Sequence, residues 1–125
     1  MSFVKAEPPG PGKNVARDIA SIRLFDNGNC MITLPQLFIG KYMVKPNLKG
    51  RFIVRWGVAD KEGQVMIAPM PDGELPNSAP KDYPVIMLRC LKPAHAPPGK
   101  RPAKDCRLLS FKDGGVLLQL PNWGA

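Results

Sequence analysis

Apolar and polar side chains alternate along this chain in short stretches, and proline or glycine interrupts the alternation every few residues. Ile22 and Leu24, then Met31 or Ile32 and Leu34, mark two strands on either side of Asp26-Asn27-Gly28-Asn29. A period of two turns one strand face toward a core and the other toward water. Asn-Gly offers two residues that accept positive φ, as a tight hairpin turn requires. Pro35 ends the second strand by removing a ladder donor. A first hairpin is therefore predicted over 20–35. Residues 51–59 (RFIVRWGVA) are rich in β-branched and aromatic side chains, Asp60-Lys61-Glu62-Gly63 reads as a turn, and Gln64 to Ala68 returns. This is a second hairpin, over 51–68. A third, over 106–120, closes around Asp113-Gly114-Gly115. Residues 85–91 (VIMLRCL) form a short apolar run between prolines and read as a buried strand. Residues 36–44 (QLFIGKYMV) fit either a short helix or a strand. Leu37, Phe38, Lys41 and Tyr42 share a helical face, Gly40 weakens it, and Pro46 ends the element.

The segments between these elements are punctuated differently. Residues 1–14 contain Pro8, Pro9 and Pro11 with Gly10 and Gly12, which block helix and ladder alike and predict an extended arm. Residues 69–84 hold Pro69, Pro71, Pro76, Pro80 and Pro84 and read as a surface connector. Residues 92–105 (KPAHAPPGKRPAKD) read as a basic loop. With 15 prolines and 12 glycines in 125 residues the composition argues against an all-helical fold, while 44% apolar residues suffice for one core. The fold class is mostly β, with at most one or two short helices. Residues 15–125 form one small domain whose three hairpins build a barrel or sandwich behind the arm. The first and third hairpins echo one another: Phe25, Gly28, Leu34 and Pro35 align with Phe111, Gly114, Leu120 and Pro121. Either a strand-turn-strand unit is duplicated, or two unrelated hairpins share turn chemistry.

Composition and charge narrow the function. No apolar run approaches the roughly 20 residues of a membrane helix, and the first residues lack the apolar stretch of a secretory signal. A soluble protein is expected, cytoplasmic or, if virus-encoded, in the virion, with no membrane partner. Cys30, Cys90 and Cys106 are odd in number and lack CxxC spacing, which argues against a zinc site or disulfide framework. They read as free thiols, with a Cys90–Cys106 or intermolecular bridge as the alternatives. His95 stands alone in a proline-rich loop, and no nucleophile elbow, HExxH, P-loop or GxGxxG occurs. Asp60/Glu62 and Asp72/Glu74 are turn acids, whereas acid–base catalysis needs carboxylates converging in a cleft. A protein without catalytic residues, metal or cofactor is expected.

The net charge of +8 is concentrated. Residues 41–55 carry Lys41, Lys45, Lys49, Arg51 and Arg55 with no acid; residues 89–107 carry Arg89, Lys92, Lys100, Arg101, Lys104 and Arg107 against Asp105. Concentrated positive charge attracts phosphate backbones by releasing condensed counterions, and prolines keep the second segment extended around Lys100 and Arg101. Trp56, Tyr42, Phe52 and Trp123 could stack on bases, although Phe52 and Trp56 share one strand face and fit a core better.

Residues 20–70 also resemble the swapped-hairpin transcription factors of the AbrB/MazE/MraZ group. The matching series is SIRLF-DNGN-CMITLP, QLFIGKYMV, KPNLKG, RFIVRWGVA, DKEG and QVMIAP. The resemblance implies a dimer of interleaved hairpins whose basic loops bind DNA through Arg23, Lys41, Lys45, Lys49 and Arg51. The chain departs from that pattern in its mostly apolar 37–44 segment, in Asn29 and Cys30 where a basic residue follows the turn glycine, and in its whole C-terminal half. The expected function is a small basic nucleic-acid-binding protein, a DNA-binding regulator acting as a dimer. The alternative is a structural or assembly protein (a virion cement, connector or tail component, or a subunit of another large complex) whose arm clamps neighbours. Either reading implies a homo-oligomer or larger assembly.

Overall fold

The computed structural model describes residues 3, 17–43 and 46–123. The arm predicted over 1–14, Phe3 apart, and Lys45 lie outside the described residues. The first hairpin is β1 (Ser21–Leu24) and β2 (Asn29–Leu34), and α1 (Gln36–Tyr42) follows, so 36–44 resolves as a helix in the main. Pro35 stands at its N-cap with its backbone still extended, and its missing N–H ends the ladder there. The second hairpin is β3 (Arg51–Trp56) and β4 (Gln64–Pro69), joined through a 3₁₀ turn at Ala59–Lys61. After β5 (Leu75–Pro76), β6 (Ile86–Leu91) and β7 (Arg101–Asp105) come the strands of the third hairpin, β8 (Arg107–Lys112) and β9 (Gly115–Gln119).

The strands form two antiparallel sheets, one ordered β6-β2-β1-β7 and the other β5-β3-β4-β9-β8, stacked as a sandwich. Period-two alternation turns Ile22 and Leu24, Cys30, Ile32 and Leu34, and Ile86 and Leu88 inward from the first sheet. Phe52 and Val54, Val65 and Ile67, and Val116 and Leu118 meet them from the second, and α1 contributes Phe38 and Ile39. A fully buried side chain of this size contributes about 2 kcal/mol. Phe52 is wholly buried and Trp56 packs on the same core.

Three local expectations change. Residues 101–105 are a strand, paired with β1, where the sequence predicts a loop. Pro102 suggests a break, but β7 is an edge strand and needs no second set of ladder bonds; the pairing also skips register between Ile22 and Leu24. The connector 69–84 likewise contains β5, which pairs with β3 at the other edge. At the first turn only Gly28 takes positive φ (88°). Two successive positive φ values occur at the third hairpin instead, at Asp113 (53°) and Gly114 (83°). The two echoing hairpins therefore lie in different sheets and turn differently. Cys106 is buried where the chain passes from one sheet to the other, its N–H donating to Ala20 O at 2.8 Å.

Candidate nucleic-acid interface

The basic segments part company in the fold. Arg51 and Arg55 occupy outward positions of β3, in the five-stranded sheet, and both are held by their own chain. Arg51 Nε donates to Gly73 O at 2.6 Å and Arg51 Nη2 to Glu74 O at 3.0 Å, pinning the loop before β5. Arg55 grips the Glu74 carboxylate with both terminal nitrogens, at 2.9 and 3.3 Å. That pairing raises the Arg55 pKa and lowers that of Glu74. Lys41, on α1, is ion-paired with Asp18; each raises or lowers the other in the favourable sense. Lys49 is exposed in the turn before β3. Lys92 donates to Pro97 O at 3.0 Å and Lys104 to Asn122 O at 3.2 Å.

Arg23, Lys100 and Arg101 do converge. β1 presents Arg23 and Phe25 on the outer side of the four-stranded sheet, because Ile22 and Leu24 point inward. The β6–β7 segment brings Lys100, Arg101 and Pro102 alongside, through the pairing of Leu24 with Arg101. Together with Asp26 these residues line a hollow of about 640 Å³. Arg23 and Lys100 are exposed and have no hydrogen-bond or ion-pair partner among the described residues, and Arg101 Nε is buried without one. Arg23 also lines a smaller depression of about 220 Å³ with Ser21, Met31, Thr33, Tyr83 and Met87, so the two spaces adjoin across the sheet.

Arg89 completes the arrangement. The register places Met31 opposite both Arg23 and Arg89, so the two arginines flank one methionine on the outer face. The Arg89 guanidinium lies 4.9 Å from the centroid of the Phe25 ring, a cation–π contact. The sequence reading counts Arg89 in the second basic segment without singling it out, and uses Phe25 only in the hairpin echo. Alternating Met87, Arg89 and Leu91 against buried Ile86 and Leu88 is the signal that could have placed Arg89 outward. Of the aromatics considered for stacking, Phe52 is buried, Trp56 and Trp123 pack against the core, and Tyr42 lies between Phe38 (5.0 Å) and Phe111 (5.3 Å).

The remaining chemistry is sparse. His95 is exposed beside Trp123, with ring centroids 6.2 Å apart. Among the described residues no three His, Cys, Asp or Glu side chains are grouped to hold a metal ion, and no helix is long and apolar enough to cross a membrane. Cys90 faces Cys30, not Cys106: the two are register partners with sulfurs 3.7 Å apart, and all three cysteines are free thiols. The Cys90 sulfur, and then burial, push the Cys30 thiol up. Compared with known family models, curated proteins and solved structures, the chain matches none.

Proposed function

We propose that this protein binds nucleic acid, without catalysing a reaction on it, through the outer face of its four-stranded sheet at the β1–β7 corner. One observation carries the reading: Arg23, Lys100 and Arg101, from two distant parts of the chain, line a single hollow, with Arg89 held over Phe25 beside it. Cations without a partner among the described residues, gathered in a concavity, concentrate positive potential where a phosphate backbone can displace their counterions. Lys41, Arg51 and Arg55, by contrast, act in the fold, because their charges are matched by Asp18, by backbone carbonyls and by Glu74. This shifts the interface away from the loops that the swapped-hairpin resemblance implies, and leaves Lys49 as the position that separates the two.

Subunit assembly is a second reading, favoured by β8. That strand is an edge, and Phe111 on it is 54% exposed, a pairing surface for another chain.

The test is fluorescence anisotropy with a labelled oligonucleotide, from 50 to 300 mM salt. Four phosphate contacts give a slope of log K against log[salt] of about −3. The double reversal Lys100→Glu/Arg101→Glu is expected to weaken binding by a factor of roughly 100 or more, while Lys49→Glu leaves it unchanged. Unaltered binding after the double reversal, or an equal loss with Lys49→Glu, overturns the proposal. Light scattering on the same samples separates the readings: a complex that forms only with oligonucleotide supports binding, and large particles of protein alone support assembly.

A further inference from the structure

Building on that reading, we infer that the ligand of the β1–β7 hollow is a single strand, with one base entering the hollow and stacking on Phe25. Phe25 is half-buried, yet it belongs neither to the core cluster nor to the side chains packed against it. An aromatic ring that the core does not use lines a basic concavity instead, and the Arg89 guanidinium lies over its face. Aromatic rings backed by cations are platforms for unpaired bases, since every base has a π face.

The acid in the hollow points the same way. Asp26 stands among Arg23, Lys100 and Arg101 without an ion pair to any of them. A carboxylate repels a phosphate but accepts hydrogen bonds from the amino and imino groups of a base edge. Asp26 is exposed like Arg23 and Lys100, so a base edge can meet the acid while the flanking phosphates meet the two cations. The adjoining depression continues the path over β1, β2 and β6. There Ser21 and Thr33 supply hydroxyls and Met31 an apolar floor for a following nucleotide.

A duplex can meet the exposed cations with its phosphates, but neither the ring nor the acid. Its bases are paired and its outer surface is backbone, so neither Phe25 nor Asp26 could reach a base in the hollow. Reading a major groove takes an inserted helix or ribbon. Among the described residues the α-helix, α1, has seven residues, and its basic residue, Lys41, is paired with Asp18.

The test compares labelled dT12 with a 12-base-pair duplex, using the full chain. A preference of at least tenfold for dT12 is expected. Phe25→Leu should weaken dT12 binding about 5- to 160-fold, from the 1–3 kcal/mol of one stacked base, with duplex binding unchanged. Phe25→Trp should retain dT12 binding, and its added emission should be quenched by dT12 and not by duplex. Circular dichroism verifies that each variant is folded, and if Phe25→Leu is not, the Phe25→Trp quenching decides. Equal affinities for the two oligonucleotides, or no quenching in Phe25→Trp, overturn the single-strand inference while the binding reading stands. No binding of either oligonucleotide overturns the binding reading itself.

Discussion

Asn77 ties the two sheets together through a single side chain. Its Nδ2 donates to Leu48 O at 3.0 Å and Val85 O at 2.9 Å, and its Oδ1 accepts from Ala79 N at 3.0 Å and Met87 N at 2.9 Å. An amide has two donors and two acceptor sites, and here all four are used. Leu48 precedes β3 of one sheet and Met87 lies in β6 of the other. Asn77→Ala strands two carbonyls and two N–H groups in a partly buried seam, at a cost of about 2 kcal/mol. Urea denaturation should register this loss, whereas the neighbouring Ser78→Ala, with its exposed hydroxyl bond to Met87 O, is expected to stay within about 0.5 kcal/mol of the parent.

Among the elements, the loop that delivers β5 shows how proline-rich chain is held to a sheet without long strands. Gly73 is buried and lies so near β3 that an added Cβ would stand 2.4 Å from Phe52 O. Gly73 O in turn accepts from Arg51, so the residue is clasped from both sides. Because Phe52 is a central core residue, the strand cannot yield. Gly73→Ala is therefore expected to cost about 3 kcal/mol, lowering Tm by on the order of 10 °C; a thermal melt measures it. β7 makes the complementary point. Its Pro102 is tolerated because the strand has one neighbour, and that strand brings Lys100 and Arg101 to Phe25.

At the scale of the molecule, the passage between sheets is read out by alkaline pH. Burial pushes the Cys106 thiol from 9.0 up to about 12, with the nearby Asp105 charge adding to the effect. Below pH 9 the thiol is protonated in both states and contributes no slope. Above it the unfolded chain loses the proton while the folded chain keeps it, so stability falls with rising pH, by about 1.4 kcal/mol per unit for this one group until the folded thiol itself titrates. Urea unfolding between pH 8 and 11 should show that decline, less steep by about this amount in Cys106→Ala.

Local pattern determined the hairpin strands and β6, and little beyond them. Alternation at Ile22/Leu24 and around Phe52/Trp56, and glycines at the turns, were enough for three hairpins and a mostly β class, because each depends on neighbours within a few residues. Pairing across the chain was not legible. Whether 101–105 is loop or strand depends on β1, some eighty residues earlier, offering a free edge. Whether a cation serves the fold or a ligand depends on what lies opposite it: Arg55 meets Glu74, and Arg23 meets Lys100 and Arg101. Charge density along a sequence is blind to that distinction, since Coulomb partners are chosen in space. The chain's own letters account for the basic character and the sheet-forming segments; stacking two sheets decided which cations are left free, and that Phe25 stands among them.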